Sequence, residues 1–188
     1  MILVFDTETT GFPKTKYALP FHKSFFENAR MIEIAYLLID EKTKIIHKEA
    51  SFLINKSYNR PPITNHHIHG ITDELIEEKG VNIKSVFEEL YNDLINVHTI
   101  VAHNMDFDIK ILLSEIYRNY SENIHLLGQL YSKKWDCTIK LGLKYMKVTK
   151  FPKLLELYKH IFNEEWEQSH RALDDARVCA KCYIEIIS

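Results

Sequence analysis

Residues 2–11 read ILVFDTETTG and are the part of the sequence that decides the fold. The first four, Ile2 to Phe5, form an uninterrupted apolar run, which is typical of a central strand buried on both faces. Polar residues follow at the carboxyl end of this strand, where side chains two residues apart point to the same side. The sequence therefore predicts that Asp6 and Glu8 project together from the end of the most buried strand.

The first half of the chain predicts three antiparallel strands. Strand-forming runs over Met31 to Ile39 and Ile45 to Ile54 are separated by a turn-like polar segment, which indicates a hairpin. From Val86 to about Asn96 the apolar residues recur at spacings of three and four, which predicts a helix. A short strand follows over Thr99 to Ala102, so strands and helices begin to alternate.

The second half continues this alternation. We expect an α/β architecture, a mixed five-stranded sheet flanked by helices, in one domain spanning 1–188. In such a fold a site is expected at the carboxyl ends of the strands. The remaining predicted elements are a helix over about Asp106 to Tyr120, a strand ending at Trp135, and helices near 138–147, 152–162 and 171–187.

The composition is that of an ordinary globular protein, with 46% hydrophobic and 27% charged residues. The formal net charge of −2 gives no global sign of nucleic-acid binding, so any such sign must be local. Three cysteines cannot all pair, and the N-terminus has no leader pattern, which favours a reducing, intracellular and cytoplasmic setting. The apolar runs are too short to span a membrane, and no membrane partner is expected.

The pair Asp6 and Glu8 points to a metal site. Two carboxylates forced close together repel each other unless a cation neutralises them, and clustered carboxylate oxygens suit the hard ions Mg²⁺ and Mn²⁺. The alternative is that both side chains cap or decorate a loop. The spacing alone leaves both interpretations open.

A second acidic pair begins the predicted C-terminal helix, where helical geometry places adjacent residues about 100° apart. Asp175 shares a face with Cys179 and Cys182, an apolar stripe that faces the core. Asp174 instead shares a charged, solvated face with Arg177. A carboxylate on a core-facing stripe is costly unless its charge is compensated, and a metal ion is a natural compensation, so Asp175 is the functional candidate.

His170 lies just ahead of this helix, on a predicted loop or at the helix start. Histidine is the side chain best suited to exchange a proton near neutral pH. A loop position would let this imidazole move toward Asp175, five residues further on. We therefore regard His170 as a candidate general base.

Two candidate acids, Asp106 and Asp108, follow the strand Thr99 to Ala102, and helical periodicity alone does not decide between them. Asp106 is well placed to cap the incoming helix through backbone N–H groups, whereas Asp108 lies inside its first turn. The capping role for Asp106 favours Asp108 as the functional residue, without excluding the reverse.

Basic residues are concentrated between Lys133 and Lys153, where seven lysines accompany a single acid, Asp136. This stretch is a candidate track for a phosphate backbone. The same lysines are equally typical of an ordinary solvated surface.

Two motifs resemble parts of zinc sites. Cys179 and Cys182 have the spacing of a zinc half-site, but they fall on the apolar stripe, and buried thiols explain them better. The run from His66 to His69 is better explained as a loop within the connecting region 56–82, where we expect only short helical pieces, one of them capped by Thr72.

Three segments of the sequence, Phe5 to Gly11, His103 to Asp108 and His170 to Ala176, resemble the three motifs of the DEDDh family of 3′-to-5′ exonucleases. This family includes the proofreading epsilon subunit of bacterial DNA polymerase III and ribonuclease T. The resemblance spans residues 2–187, and His69-Gly-Ile-Thr is similar to another recurring element of the family. The segment from Phe12 to Arg30 is longer than in the polymerase subunit.

The resemblance implies a ribonuclease-H-like fold and a two-metal hydrolysis of phosphodiester bonds. In this reaction one ion activates a water that His170 deprotonates, while the other stabilises the departing 3′ oxygen. The resemblance also selects Asp108 over Asp106. The implied ligands of two Mg²⁺ or Mn²⁺ ions are Asp6, Glu8, Asp108 and Asp175.

The expected substrate is the 3′ end of single-stranded nucleic acid, from which nucleoside 5′-monophosphates are released. DNA is favoured over RNA, a DNA polymerase or replication complex is a candidate partner, and an RNA-trimming exoribonuclease is the alternative within the family. A non-catalytic nucleic-acid or polymerase-binding module is the alternative outside it. The resemblance assigns substrate contacts to Thr9, His69, Asn104 and Phe107.

Overall fold

The structure, a computed structural model, describes residues 1–55, 60–118 and 120–188, with the backbone alone for residues 120–122. Within these residues the sheet has five strands, β1 (Ile2–Thr9), β2 (Met31–Ile39), β3 (Ile46–Leu53), β4 (Thr99–Ala102) and β5 (Lys134–Cys137). Their order in the sheet is β3-β2-β1-β4-β5. β1 and β3 both lie antiparallel to β2, whereas β4 runs parallel to β1 and β5 runs parallel to β4. The predicted mixed five-stranded sheet is therefore confirmed.

Helices cover both faces of the sheet. One face packs against α3, α4 and α5, and the other packs against α7 and α8, which gives a central sheet between two helical layers. None of the helices in the described part of the chain has the length and apolar character that a membrane crossing requires. The helices are α1 (His66–His69), α2 (Asp73–Lys79), α3 (Ile83–Leu94), α4 (Met105–Arg118), α5 (Tyr120–Tyr131), α6 (Thr138–Met146), α7 (Leu154–Phe162) and α8 (Ala172–Ile187).

The first strand is longer than its apolar run. Backbone pairing with β2 continues past Phe5, with Asp6 opposite Ala35 and Glu8 opposite Glu33. The acidic pair therefore lies inside the strand instead of following it. Ladder hydrogen bonds to a buried neighbouring strand extend the regular structure into this polar sequence.

Two segments differ from the sequence prediction. The segment between Tyr120 and the fifth strand, which the sequence left unassigned, forms α5, and its buried residues Leu126, Leu127 and Leu130 pack into the core below α3 and α4. The run His66 to His69 forms one helical turn instead of a loop, and Gly70, in a left-handed conformation (φ 70°), ends this turn. The predicted cap is confirmed, since the Thr72 hydroxyl accepts a hydrogen bond from the Leu75 amide at the start of α2.

Candidate active site

The alternation of β1 directs the acidic pair toward α8. Ile2 and Val4 pack in the part of the core that lies beneath α7 and α8. By the two-residue period of a strand, Asp6 and Glu8 continue that face, and Thr7 points to the opposite side, toward α4. The prediction that the two carboxylates project together is confirmed, since their oxygens lie within 4.8 Å of each other.

The helical-face argument for the C-terminal helix is also confirmed. Asp175 is only 6% exposed and lies on the same stripe as Cys179 and Cys182, both of which are buried in the core. Asp174 is partly exposed and forms an ion pair with Arg177, with 3.3 Å between Oδ1 and Nη1. The structure therefore separates the two adjacent aspartates as the sequence predicted.

Three carboxylates meet where α8 begins over the sheet. Asp6, Glu8 and Asp175 each offer an oxygen, and these oxygens all lie within 4.8 Å of one another. The Gln168 side-chain amide donates to Oδ2 of Asp175 at 2.6 Å. The other oxygen, Oδ1, is buried and has no hydrogen-bond partner among the described residues. A buried acceptor without a partner, in a group that holds only oxygen donors, fits a hard divalent cation.

Asp108 lies beside this cluster at the start of α4. Its Oδ1 accepts two hydrogen bonds from Thr7, one from the backbone amide at 3.2 Å and one from the hydroxyl at 2.8 Å. Asp108 is buried, whereas the neighbouring Asp106 is exposed and pairs with Lys110. The capping role expected for Asp106 is wrong because α4 already begins at Met105, which places Asp106 inside the first turn.

Burial raises the pKa of all four acids, and their mutual repulsion adds to the effect. The pKa of Asp6 rises well above its usual range, first through burial and then through the charges of Asp108, Asp175, Glu8 and Glu33. Burial and the charges of Asp175, Glu33 and Asp108 raise the pKa of Glu8 to about 9, although the charge of Arg171 acts in the opposite direction. The pKa values of Asp108 and Asp175 rise to about 7 and about 6, again mainly through burial. Without a cation, the cluster holds protons that an ordinary carboxylate would have lost at neutral pH.

His170 lies on the loop that enters α8, as predicted. It is partly buried, and its backbone adopts the left-handed conformation with φ 52°. When protonated, the imidazole lowers the pKa of Asp175 against the effect of burial. The His170 side chain therefore lies within electrostatic range of Asp175.

Four residues around the cluster were missed from the sequence. Thr7 and Gln168 bind two of the acids directly, and Glu33 binds Arg171 at the start of α8. Glu33 could have been recognised from the sequence, because it is the single charged residue in the otherwise apolar strand Met31–Ile39. The other three look like ordinary polar residues until the chain is folded.

The structure separates the predicted substrate residues into two places. Asn104 and Phe107 line an open cavity of about 870 Å³ next to the start of α4. Phe12 lies on the same cavity, and its ring centroid is 5.8 Å from that of Phe107. The cavity continues along the end of β5 and the start of α6.

Thr9 and His69 lie instead near the end of β1 and in α1. The Thr9 hydroxyl donates to the carbonyl of Gly11, and the Thr9 carbonyl accepts from the Asn65 side chain. His69 is buried, and its Nδ1 accepts a hydrogen bond from the Ile71 amide at 3.1 Å. Burial lowers the pKa of His69, so its neutral ring carries the proton on Nε2, which has no partner within the described ranges.

The two thiols that have the spacing of a zinc half-site are core residues, as expected. Cys179 and Cys182 pack on the inner face of α8, and burial raises the pKa of Cys182 to about 12. Thiols with raised pKa values are poor metal ligands, since the thiolate is the form that binds. The oxygen cluster therefore remains the candidate metal site.

Comparisons with known proteins identify the family of this chain. A family model described as Exonuclease matches residues 3–183. The epsilon subunit of DNA polymerase III from Rickettsia prowazekii (strain Madrid E) is 27% identical over 192 residues, which cover 98% of this chain and 72% of the relative.

Solved structures show the same fold. The nuclease domain of 3′hExo, a DEDDh family member bound to rAMP, matches with a TM-score of 0.73 at 16% identity, over 99% of this chain and 90% of that one. Exonuclease X in complex with 5′ overhanging duplex DNA matches with a TM-score of 0.63 at 24% identity, over 100% and 91% of the two chains. With a family model that matches nearly its whole length, the chain belongs to the exonuclease family, and it has the fold of these solved nucleases.

Proposed function

We propose that this exonuclease removes nucleotides from the 3′ end of single-stranded nucleic acid, with DNA as the preferred substrate, and releases nucleoside 5′-monophosphates. The observation that carries the proposal is the meeting of Asp6, Glu8 and Asp175 within 4.8 Å, with Asp108 and His170 beside them. Four acids and a histidine from three distant parts of the chain converge on one end of the sheet. No structural role requires so costly a cluster of buried carboxylates.

The four carboxylates would hold two Mg²⁺ or Mn²⁺ ions. All the donors are oxygens, which these hard cations prefer over softer metals, and Asp175 keeps one buried oxygen without a hydrogen bond among the described residues. When bound, the two ions supply positive charge that stabilises the departing 3′ oxygen and lowers the pKa of the attacking water.

His170 would act as the general base that takes the proton from this water. Its loop position beside Asp175 supports the role, because a base must reach the attacking water at the end of the carboxylate cluster. The neutral imidazole accepts the proton, and the imidazolium that forms is stabilised by the neighbouring acids.

His69 is suited to bind the terminal nucleotide. Its Nε2–H is a buried donor without a partner in the part of the chain that the structure describes, and its tautomer is fixed by the bond from Ile71 to Nδ1. A phosphate or sugar oxygen of the substrate would supply the missing acceptor.

The cavity beside α4 is suited to hold the bases that precede the terminal nucleotide. Its lining includes the aromatic residues Phe12 and Phe151, which are 79% and 67% exposed. Lys140, from the lysine-rich stretch, lies on the same cavity. Exposed rings and a nearby cation are the features by which proteins hold single strands without reading their sequence.

The choice of DNA rests on the relatives. The curated relative is a subunit of DNA polymerase III, which supports DNA as substrate and a DNA polymerase or replication complex as partner. RNA trimming is the second candidate, because the 3′hExo domain with the same fold binds rAMP. A non-catalytic binding module is disfavoured, since the complete set of four acids and His170 is retained in one place.

The test compares DNA and RNA oligonucleotides of identical sequence, each labelled at the 5′ end so that shortening from the 3′ end gives a ladder. We expect a Mg²⁺-dependent ladder on single-stranded DNA, slower shortening of RNA, and slower attack on a blunt duplex, whose end must fray first. A faster reaction on RNA would select the second candidate. Internal cuts without a ladder would contradict the exonuclease assignment to 3′ ends.

A further inference from the structure

Glu33 is a buried charge that the proposed reaction does not use. Its side chain is 1% exposed, and it lies directly opposite Glu8 in the pairing of β1 with β2. Two acids that face each other across antiparallel strands destabilise the sheet unless their charge is compensated. Glu33 therefore needs a specific partner.

That partner is the entry to α8, residues Arg171 and Ala172. Arg171 donates two hydrogen bonds to the carboxylate, from Nη2 to Oε1 at 2.6 Å and from Nε to Oε2 at 3.1 Å. The backbone amide of Ala172 also donates to Oε2, at 3.0 Å, and the Ser51 hydroxyl donates to Oε1 at 3.3 Å. Arg171, the residue before the helix, forms no side-chain cap of its own, so Glu33 supplies from the sheet the anion that the start of α8 needs.

These bonds hold the two residues that follow His170. A non-glycine residue with φ 52° is strained and persists only where its surroundings fix it. On the other side of His170, the Ser169 hydroxyl donates to Asp174 at 2.8 Å, and Gln168 binds Asp175. His170 is therefore held between two anchors, of which the Glu33 anchor ties it to the sheet that carries Asp6 and Glu8.

We propose that Glu33 and Arg171 form a positioning pair that sets the place of the His170 imidazole relative to the carboxylate cluster. The proposal rests on the proposed role of His170 as general base. The pair does not touch the substrate in this account, and it acts through the backbone of residues 170–172. Misplacing a catalytic group by about 1 Å lowers a rate by about 100-fold, so even a small shift of this loop would be visible in kcat.

The chain offers a matched control on the same helix. Arg177 binds Glu49 of β3 with the same two-bond geometry, with Nε 3.0 Å from Oε1 and Nη2 close to Oε2. This pair also ties α8 to the sheet, but it is exposed and lies nearly two helical turns beyond His170. Arg177→Met removes this pair and the exposed ion pair with Oδ1 of Asp174, but it leaves in place the bonds to Glu33 and the bond from Ser169 to Oδ2 of Asp174.

The test is a double-mutant cycle that combines Arg171→Met with His170→Ala. We expect Arg171→Met and Glu33→Gln to lower kcat by about 10- to 100-fold, with KM changed by about twofold or less, because outer-shell partners orient catalytic groups at roughly this cost. In the His170→Ala background, Arg171→Met should cause no further loss, since the group that it positions is gone. Arg177→Met should leave kcat and KM as in the wild-type protein.

Two further measurements separate positioning from folding and from metal binding. The melting temperature of each variant is measured with and without Mn²⁺. We expect Mn²⁺ to raise the melting temperature of Arg171→Met as much as it raises that of the wild-type protein. If Arg171→Met does not fold because it leaves Glu33 buried and uncompensated, the double variant Glu33→Gln/Arg171→Met removes both charges and takes its place in the cycle.

The possible outcomes distinguish a failure of the positioning pair from a failure of the proposed function. The positioning pair would be overturned if Arg171→Met lowered kcat by a further factor in the His170→Ala background, or if it abolished the rise in melting temperature that Mn²⁺ causes. The wild-type protein would still be an active exonuclease in either case. A wild-type protein without Mg²⁺-dependent activity would contradict the proposed function itself. Equal kcat values for Arg171→Met and Arg177→Met would also overturn the positioning pair.

Discussion

The Thr7 hydroxyl donates a hydrogen bond of 2.8 Å to Oδ1 of Asp108, a residue 101 positions further along the chain. The backbone amide of Thr7 donates to the same oxygen, and both bonds lower the pKa of Asp108 against the effect of burial. A residue between the two acids of β1 thus orients a third acid from α4. This contact links the first and second motifs of the site.

We expect Thr7→Val to weaken metal binding. Valine keeps the shape and the backbone bond but removes the hydroxyl, so the pKa of Asp108 rises above its value of about 7 and less carboxylate is available at neutral pH. The affinity for Mn²⁺ should fall by about 10-fold or more, as for other partners of metal ligands. Calorimetric titration with Mn²⁺ measures the change.

The control for this variant is Thr43→Val. The Thr43 hydroxyl donates to Asp40 at 3.1 Å in the exposed turn between β2 and β3, far from the cluster. Thr43→Val should bind Mn²⁺ as the wild-type protein does. Equal affinities of the two variants for Mn²⁺ would show that the hydrogen bond from Thr7 does not help Asp108 to bind a cation.

The metal-free protein should lose stability as the pH rises. The pKa of Glu8 is about 9 in the folded protein and about 4.5 in an unfolded chain, so the folded state holds the extra proton between these values. Stability falls with pH wherever the folded state binds more protons, which here covers the range from about pH 5 to about pH 9. Melting curves in a chelator should show a falling melting temperature across this range.

Glu8→Gln tests the cause of that fall. The amide carries no charge, so the variant should melt several degrees above the wild-type metal-free protein near about pH 8, since about 1 kcal/mol corresponds to about 2–4 °C at this size. It should also lose most of the stabilisation that Mn²⁺ gives the wild-type protein. A wild-type melting temperature that stays level or rises with pH in chelator would contradict the buried repulsion.

The two adjacent aspartates of α8 should differ sharply on substitution. Asp175→Asn removes a charge from the cluster and should lower kcat by about 100-fold or more, since metal-ion catalysis is worth several kcal/mol. Asp174→Asn breaks an exposed pair with Arg177, which is worth a few tenths of a kcal/mol, but keeps a side-chain oxygen that accepts the bond from Ser169, so it should leave kcat nearly unchanged. Steady-state rates on single-stranded DNA compare them, and similar losses in both would refute the assignment by helical face.

The helical-face argument succeeded because it used local periodicity. The stripe of Asp175, Cys179 and Cys182 could be read from spacing alone, and the strand period placed Asp6 and Glu8 together. The choice of Asp108 over Asp106 needed the family resemblance, because the residue at which α4 begins decides which acid faces inward, and the spacing does not fix that residue. Local sequence patterns predict well which side chains share a face of a helix or strand. They predict poorly the residues at which a helix or strand begins and ends.

Contacts between distant parts of the chain could not be predicted. Glu33 and Arg171 are 138 residues apart, and neither sequence neighbourhood indicates the other. Helix α5 was missed although Leu126, Leu127 and Leu130 have helical spacing, because the short run also suits a buried strand. The partners that orient a site are set by packing, which a single sequence does not display.

The exposed ring of Phe151 should contribute to substrate binding more than to the chemical step. Stacking of a base on an aromatic side chain is worth about 1–3 kcal/mol, so Phe151→Ala should raise KM on single-stranded DNA by about 5-fold or more with little change in kcat. Phe25→Ala, at a partly exposed ring outside the cavity, is the control. A loss in kcat without a change in KM would contradict the binding role of the cavity.

The proposed function requires that a cation held by the carboxylate cluster supports removal of nucleotides from a 3′ end. Product analysis by chromatography after incubation of single-stranded DNA with Mg²⁺ tests it most directly, on the wild-type protein and on Asp6→Asn. We predict nucleoside 5′-monophosphates from the wild-type protein, none in the presence of a chelator, and a loss of about 100-fold or more in Asp6→Asn. Undiminished release of 5′-monophosphates by Asp6→Asn, or by the wild-type protein in chelator, would contradict the account.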